Sequence, residues 1–200
     1  MRRQDLEAFR GAPVDDLVDE RTVLLWVGIN PGLWTAAVNA HFARPGNRFW
    51  PALYRAGLLD RAVDASRGFT PEDTALVLER GMGISNLVNV ATARADELTA
   101  QQLQDGVGRL RSLAQRIGPR VVAVLGLTAY RSAFRQPAAV AGRQPEDWEG
   151  AELWVAPNPS GLNAHETVES LAATYRRIGA AAGLVPSPVG RDVSPPRSGP

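Results

Sequence analysis

The feature that most constrains this chain is an apolar run, Val23-Leu24-Leu25-Trp26-Val27, that stops abruptly at Gly28-Ile29-Asn30-Pro31-Gly32. An apolar stretch with no alternation reads as a strand buried on both faces, and the glycine, asparagine and proline after it read as a tight loop. In an open α/β sheet, ligands bind beyond the carboxyl ends of the strands, where such a loop lies. A second run of the same kind, Leu153-Trp154-Val155-Ala156, leads into a second loop, Asn158-Pro159-Ser160-Gly161. Two matched loops at two strand ends point to one site.

Between these runs, strand and helix patterns alternate, which predicts a parallel sheet covered on both faces. Strands are expected at Thr22–Val27, Val121–Leu125 and Leu153–Ala156. The short stretch Gly83–Val90 mixes polar and apolar residues and reads as loop, with a strand at Ile84 or Leu87–Val90. Asn47 is placed to cap a helix containing Phe49, Trp50, Leu53, Tyr54 and Leu58. Thr70-Pro71-Glu72-Asp73 starts another helix that ends before Gly81. Apolar residues at helical spacing from Leu98 to Ile117 predict an amphipathic helix over 97–117, stopped by Gly118-Pro119. Further helices are expected near Thr128–Phe134 and Glu166–Ala182, with a polar loop or hairpin over 136–150. The chain divides into a lead-in over 1–21, one domain over 22–183, and a tail over 184–200 whose proline, serine, glycine and arginine predict disorder.

Composition removes several chemistries. The chain has no cysteine, which excludes disulfides, zinc-thiolate sites and thiol catalysis, and His41 and His165 are its only histidines. All 22 Lys+Arg residues are arginine, so no lysine can form a Schiff base. Net charge is only +1, which gives the whole molecule no strong field for nucleic acid, although a local patch can still track phosphates. No run reaches the ~18 apolar residues of a membrane span. The first residues carry no apolar run of a signal peptide, so a cytoplasmic monomer without metal or cofactor is expected.

The first loop lacks both the Gly-Lys-Ser/Thr ending of a P-loop and the G-x-G-x-x-G spacing, which argues against nucleoside triphosphate binding. Asn30 by itself reads equally well as a turn cap or a site residue. In the second loop, Leu162 is an apolar side chain in a polar turn. Phe42 reads as a core residue or, given the loop-like His41, Arg44 and Pro45 beside it, as a surface aromatic.

Taken together, G-I-N-P-G-L at 28–33, F-A-R-P-G-N-R-F-W at 42–50 and N-P-S-G-L at 158–162 resemble the mismatch-specific uracil/thymine DNA glycosylases of the uracil-DNA glycosylase superfamily. The resemblance runs from about residue 23 to 179. It implies a three-layer α/β/α sandwich with a short, mostly parallel central sheet. It also implies a monofunctional enzyme that flips uracil, or thymine and damaged pyrimidines, out of double-stranded DNA containing G:U or related mismatches. By the same resemblance Asn30 positions the attacking water. Ile29, Phe42, Asn158 and Thr35 bind the base, with Phe42 stacking on it and Thr35 leaving room at the base's 5-position. Leu162, with Gly161, Asn163 and Ser160, forms the wedge that fills the vacated stack, and Arg44 and Arg48 lie near phosphates or stay as solvated charge.

Two positions depart from the family pattern. Trp34 stands where a small polar residue is expected and is placed to crowd the pocket mouth. Asp96 stands where an asparagine is expected; it either caps the 97–117 helix or reaches the site as a catalytic carboxylate. The competing readings are a non-catalytic DNA-damage-binding domain of the same fold and a nucleotide-binding α/β hydrolase acting on small molecules.

Overall fold

The computed structural model describes residues 1–185; the segment 186–200, expected to be disordered, lies outside the described residues. In chain order the elements are α1 (Arg3–Glu7), β1 (Leu24–Gly28), α2 (Leu33–Val38), α3 (Phe49–Arg55), α4 (Pro71–Glu79) and β2 (Met82–Asn86). A single 3-10 turn (Ala95–Glu97) precedes α5 (Ala100–Ile117), then β3 (Val121–Leu125), α6 (Leu127–Ala133), β4 (Gly142–Arg143), β5 (Glu152–Ala156) and α7 (Val168–Ala181).

The strands form one sheet in the order β2-β1-β3-β5-β4. All pairings are parallel except the two-residue edge strand β4, which runs antiparallel to β5. Because side chains alternate across a strand, each buried run feeds two layers. Leu24, Trp26, Ala123 and Trp154 pack with α3 and α7 on one face, while Leu25, Val27, Val122 and Val155 pack with α5 and α6 on the other. The expected three-layer α/β/α sandwich with a short, mostly parallel sheet is what forms. An aromatic cluster anchors the first layer, with Trp26 against Tyr175 at 4.7 Å and edge-on to Phe49 at 5.8 Å between ring centroids.

One helix start follows its sequence signal and two lie further along the chain than expected. Thr70 accepts from the Asp73 backbone N–H and Asp73 answers to the Thr70 N–H, which starts α4. The helix over 97–117 begins later than its apolar spacing suggested, because Thr99 caps it by accepting from Gln102 N at 3.1 Å. Asp96 is therefore not the cap; it lies in the preceding 3-10 turn, paired with Arg94. Likewise Thr167 caps α7, which begins at Val168 rather than at the expected Glu166. Leu58 falls just past α3.

The main correction concerns Gly83–Val90. The strand expected at Ile84 is present and longer, a fully buried Met82–Asn86 paired with β1, whereas Leu87–Val90 is not a strand. The polar residues of β2 hide the pattern because they are satisfied internally. The Ser85 hydroxyl donates to Asp16 Oδ1 at 2.7 Å, and Arg109 grips the Asp16 carboxylate with a bond at 2.8 Å while reaching the Ser85 hydroxyl at 3.1 Å. Beyond the sheet, residues 87–92 continue alongside the first loop, with Leu87 N on Gly28 O, Val88 N on Ile29 O and Thr92 N on Pro31 O. That pairing holds the first loop rigid. β1 has neighbours on both sides, so its carboxyl end is the switch point where the chain departs in two directions and leaves a crevice.

Candidate active site

The crevice holds a cavity of about 580 Å³, within the range of small-ligand sites. Ile29, Asn30, Thr35 and Phe42 line it from the β1 side, and Asn158, Ser160 and Leu162 from the β5 loop. Arg44 and Asp96 stand at its rim.

Asn30 is held in one orientation. Its Nδ2 donates to Pro31 O at 3.1 Å, Val90 O at 3.0 Å and Thr92 Oγ1 at 2.8 Å. Two of those acceptors are carbonyls, so the nitrogen end of the amide is assigned by chemistry. Oδ1 has no donor among the described residues and is the end left for a water molecule. Asn158 is fixed in the opposite sense. Its Oδ1 accepts from Ser160 N at 3.0 Å, which leaves Nδ2 as the group free to donate into the cavity. The two loops thus present one amide acceptor and one amide donor.

Phe42 is half-buried and adopts φ 54°, a left-handed backbone conformation unusual for an aromatic residue. Such strain persists where surrounding contacts over-determine it. Here Phe42 stacks on Phe49, with ring centroids 4.0 Å apart and planes inclined by 28°. It is therefore both a core contact and a cavity wall. Thr35 is only 5 % exposed yet lies on the cavity floor.

Of the cavity residues that the sequence reading did not assign to the site, Asn86 is the buried polar one. Asn86, at the end of β2, is buried and lines the cavity, with Nδ2 3.4 Å from His41 Nδ1. Its Oδ1 lies over Gly28, where an added Cβ would stand 2.5 Å from Oδ1 and 3.2 Å from Phe42 Cζ. The signal was present, since Asn86 ends its strand as Asn30 follows β1, but the polar strand concealed it. Gly28→Ala is expected to destabilise the fold by about 1–3 kcal/mol through overpacking, read from urea unfolding.

The second loop carries Leu162, 75 % exposed at the cavity rim. Gly161 packs on residue 46 so closely that an added Cβ would stand 2.6 Å from Gly46 O. Arg48 braces the loop, donating to Ser160 O and Asn163 O at 3.0 Å each and to Gly161 O at 3.4 Å. Its backbone N–H also bonds Pro159 O, and Asn163 Nδ2 closes the turn onto Asn158 O at 3.0 Å. Arg48 is thus an internal clamp, whereas Arg44 is exposed and makes no ion pair among the described residues. The guanidinium offers a fork of donors, and this loop presents a row of carbonyls.

The family model of the uracil DNA glycosylase superfamily matches residues 16–178. The chain belongs to this superfamily. Its fold also matches the solution NMR structure of a candidate uracil DNA glycosylase from Methanosarcina acetivorans, with a TM-score of 0.55 at 17% identity, covering 85% of this chain and 98% of that one. Superfamily membership supports a uracil-DNA glycosylase role, and no helix among the described residues is long and apolar enough to cross a membrane.

Two further residues of this superfamily member sit differently from their sequence reading. Trp34 does not line the cavity; it packs against the core, its indole N–H donating to Ser66 O at 3.0 Å. His41 is buried behind Asn86, and burial lowers its pKa from 6.5 to about 4, partly offset by its bond to the Asp15 carbonyl. The imidazole is neutral when folded but titrates normally when unfolded. Its contribution to stability is complete above about pH 6.5 and is lost as pH falls toward 4, amounting to about 3 kcal/mol at most. Urea melts at pH 7.5 and 4.5 are expected to show a smaller acid loss for His41→Gln than for wild type.

Proposed function

We propose that this chain removes uracil, and with lower efficiency thymine, from G:U and G:T mismatches in duplex DNA, leaving an abasic site. A base stacked in a duplex is out of reach, so the nucleotide must be flipped into the cavity. The observation that carries this reading is the exposed Leu162 beside a cavity whose walls present oriented amides, because a small free ligand has no stack for such a side chain to fill.

In this reading Phe42 stacks on the flipped base and Asn86 faces its edge. Water held by Asn30 Oδ1 adds to C1′ as the C1′–N1 bond breaks, and the electron pair of that bond leaves with the base. An amide cannot take the proton at neutral pH, so the water proton passes to solvent and catalysis leans on the leaving group. Asn158 Nδ2 donates to the negative charge that develops on the departing base. Thr35 leaves space at the 5-position, which extends the range to thymine. Arg44, the exposed cation at the rim, contacts the DNA backbone. With no lysine to attack C1′, the enzyme is monofunctional; it acts as a monomer in the cytoplasm.

In this reading Asp96, exposed at the cavity rim and paired with Arg94, supplies negative charge toward the sugar as it becomes cationic. Asp96→Asn is expected to slow base release about tenfold, the effect of about 1.4 kcal/mol of lost electrostatic attraction. Its unfolding midpoint should not change, since Thr99 supplies the cap.

The deciding experiment incubates short duplexes bearing one central G·U, G·T, A·U or G·C pair in EDTA, followed by alkali to reveal abasic sites. Cleavage on G·U above A·U, with weaker cleavage on G·T and dependence on Asn30, is expected. Specific retention of G·U duplex without base release would instead make the chain a damage-binding domain. Neither release nor retention would overturn both.

A further inference from the structure

We propose that His41 is a positioning residue that determines which end of the Asn86 amide faces the flipped base. This rests on the glycosylase reading above and concerns residues at one remove from the base.

The chain of bonds has a defined direction. The Asp15 backbone carbonyl can only accept, and it lies 2.9 Å from His41 Nε2, so Nε2 carries the proton. A neutral imidazole with hydrogen on Nε2 has a bare Nδ1, which can only accept. The Asn86 group 3.4 Å from Nδ1 must then be the donor, Nδ2. Oδ1 is thereby turned toward Gly28 and the cavity. A carbonyl oxygen at that point accepts from a ring N–H, which uracil and thymine carry on the edge facing away from the sugar. Cytosine presents a lone pair at the same ring position and is repelled.

The rest of Asn86 is held from the same direction. Its backbone carbonyl accepts from Arg109 Nη1 at 3.0 Å, and Arg109 is anchored on Asp16. Leu17 extends this support through a backbone bridge to Ile84. The lead-in segment Asp15–Leu17 therefore sets both the backbone and the side-chain orientation of a cavity residue that follows it by some seventy positions. Without His41, the amide is free to rotate and to present Nδ2 in half of its orientations.

The test combines a spectroscopic and a kinetic measurement. In wild type at pH 7, nitrogen-15 NMR of the imidazole is expected to show hydrogen on Nε2 and a bare Nδ1. Hydrogen on Nδ1 overturns the proposal whatever the activity. Single-turnover release of uracil from a G·U duplex is then measured for His41→Leu, Asn86→Leu and the double variant. His41→Leu is expected to be about tenfold slower, and the double variant no slower than Asn86→Leu alone. His41→Gln, which can donate and accept with one amide, is expected to recover part of the loss and serves where His41→Leu folds poorly. Equal losses on adding His41→Leu to wild type and to Asn86→Leu would mark His41 as merely structural and overturn the proposal. A wild type that releases no base overturns the glycosylase reading and this proposal with it, whereas an active wild type with additive losses overturns this proposal alone.

Discussion

Asn30→Asp is expected to be no better a catalyst than Asn30→Ala, both slowing uracil release by about 10²–10³-fold, the usual cost of losing one oriented polar group at a reacting centre. On chemical grounds a carboxylate should improve on an amide, because it can take the proton of the attacking water. The surroundings prevent this. The amide nitrogen sits within 3.1 Å of two backbone carbonyls, Pro31 O and Val90 O, and donates to both. In aspartate an oxygen without a proton would meet two carbonyl oxygens, so the group must either stay protonated or push the loop apart. Either outcome removes the base that the substitution was meant to supply. Asn30→Asp should also unfold more easily than wild type by about 1 kcal/mol, from the lost hydrogen bonds to these half-buried carbonyls. Single-turnover assays and urea melts on the two variants measure both effects. An aspartate variant clearly faster than the alanine variant would mean that the loop tolerates a carboxylate and that proton abstraction limits the rate.

Leu162→Ala is expected to separate recognition of the duplex from the chemistry. Leu162 is 75 % exposed, so truncating it removes almost no packing and the unfolding midpoint should not move. On a G·U duplex, however, the wedge offsets a few kcal/mol of lost stacking, and its removal should slow base release by roughly 30- to 100-fold. On single-stranded uracil DNA, where no stack needs filling, wild type and variant should be alike. Equal losses on both substrates would place Leu162 in the base pocket and remove the flipping argument. The loop must stay rigid for the wedge to act, and the Arg48 clamp on the carbonyls of Ser160, Gly161 and Asn163 holds it.

Much of this architecture was legible in the chain. Val121–Leu125 forms a strand over the range its apolar run predicts, and Leu153–Ala156 needs only Glu152 added at its start. Those runs are legible because both strands are buried on both faces and filled almost entirely with apolar residues. The loops after β1 and β5 were legible for a related reason, since glycine, proline and asparagine in sequence leave few conformations but a tight turn. Both loops do line one cavity.

Other features depended on partners distant in sequence. The extent of β2 around Ile84 was obscured because Ser85 and Asn86 are polar, and only the approach of Asp16, Arg109 and His41 makes their burial tolerable. Asp96 and Thr99 are both good capping residues, three positions apart, and local chemistry does not choose between them. The helix starts at Thr99, with Asp96 left in the turn at the cavity rim. Trp34 read as a pocket residue from its neighbours in the chain, but α2 turns its indole toward Ser66 and the core.

The amino-acid sequence by itself determined the layer order, the two loops at the strand ends and the absence of thiol and lysine chemistry, because these follow from residue type and local periodicity. Only the tertiary structure decided which end of each asparagine faces the cavity, that Arg48 holds a loop while Arg44 stays exposed, and that the lead-in supports Asn86 through His41. Those outcomes are set by hydrogen bonds between groups far apart in sequence, and a donor's partner is known only once the fold has brought the acceptor to it.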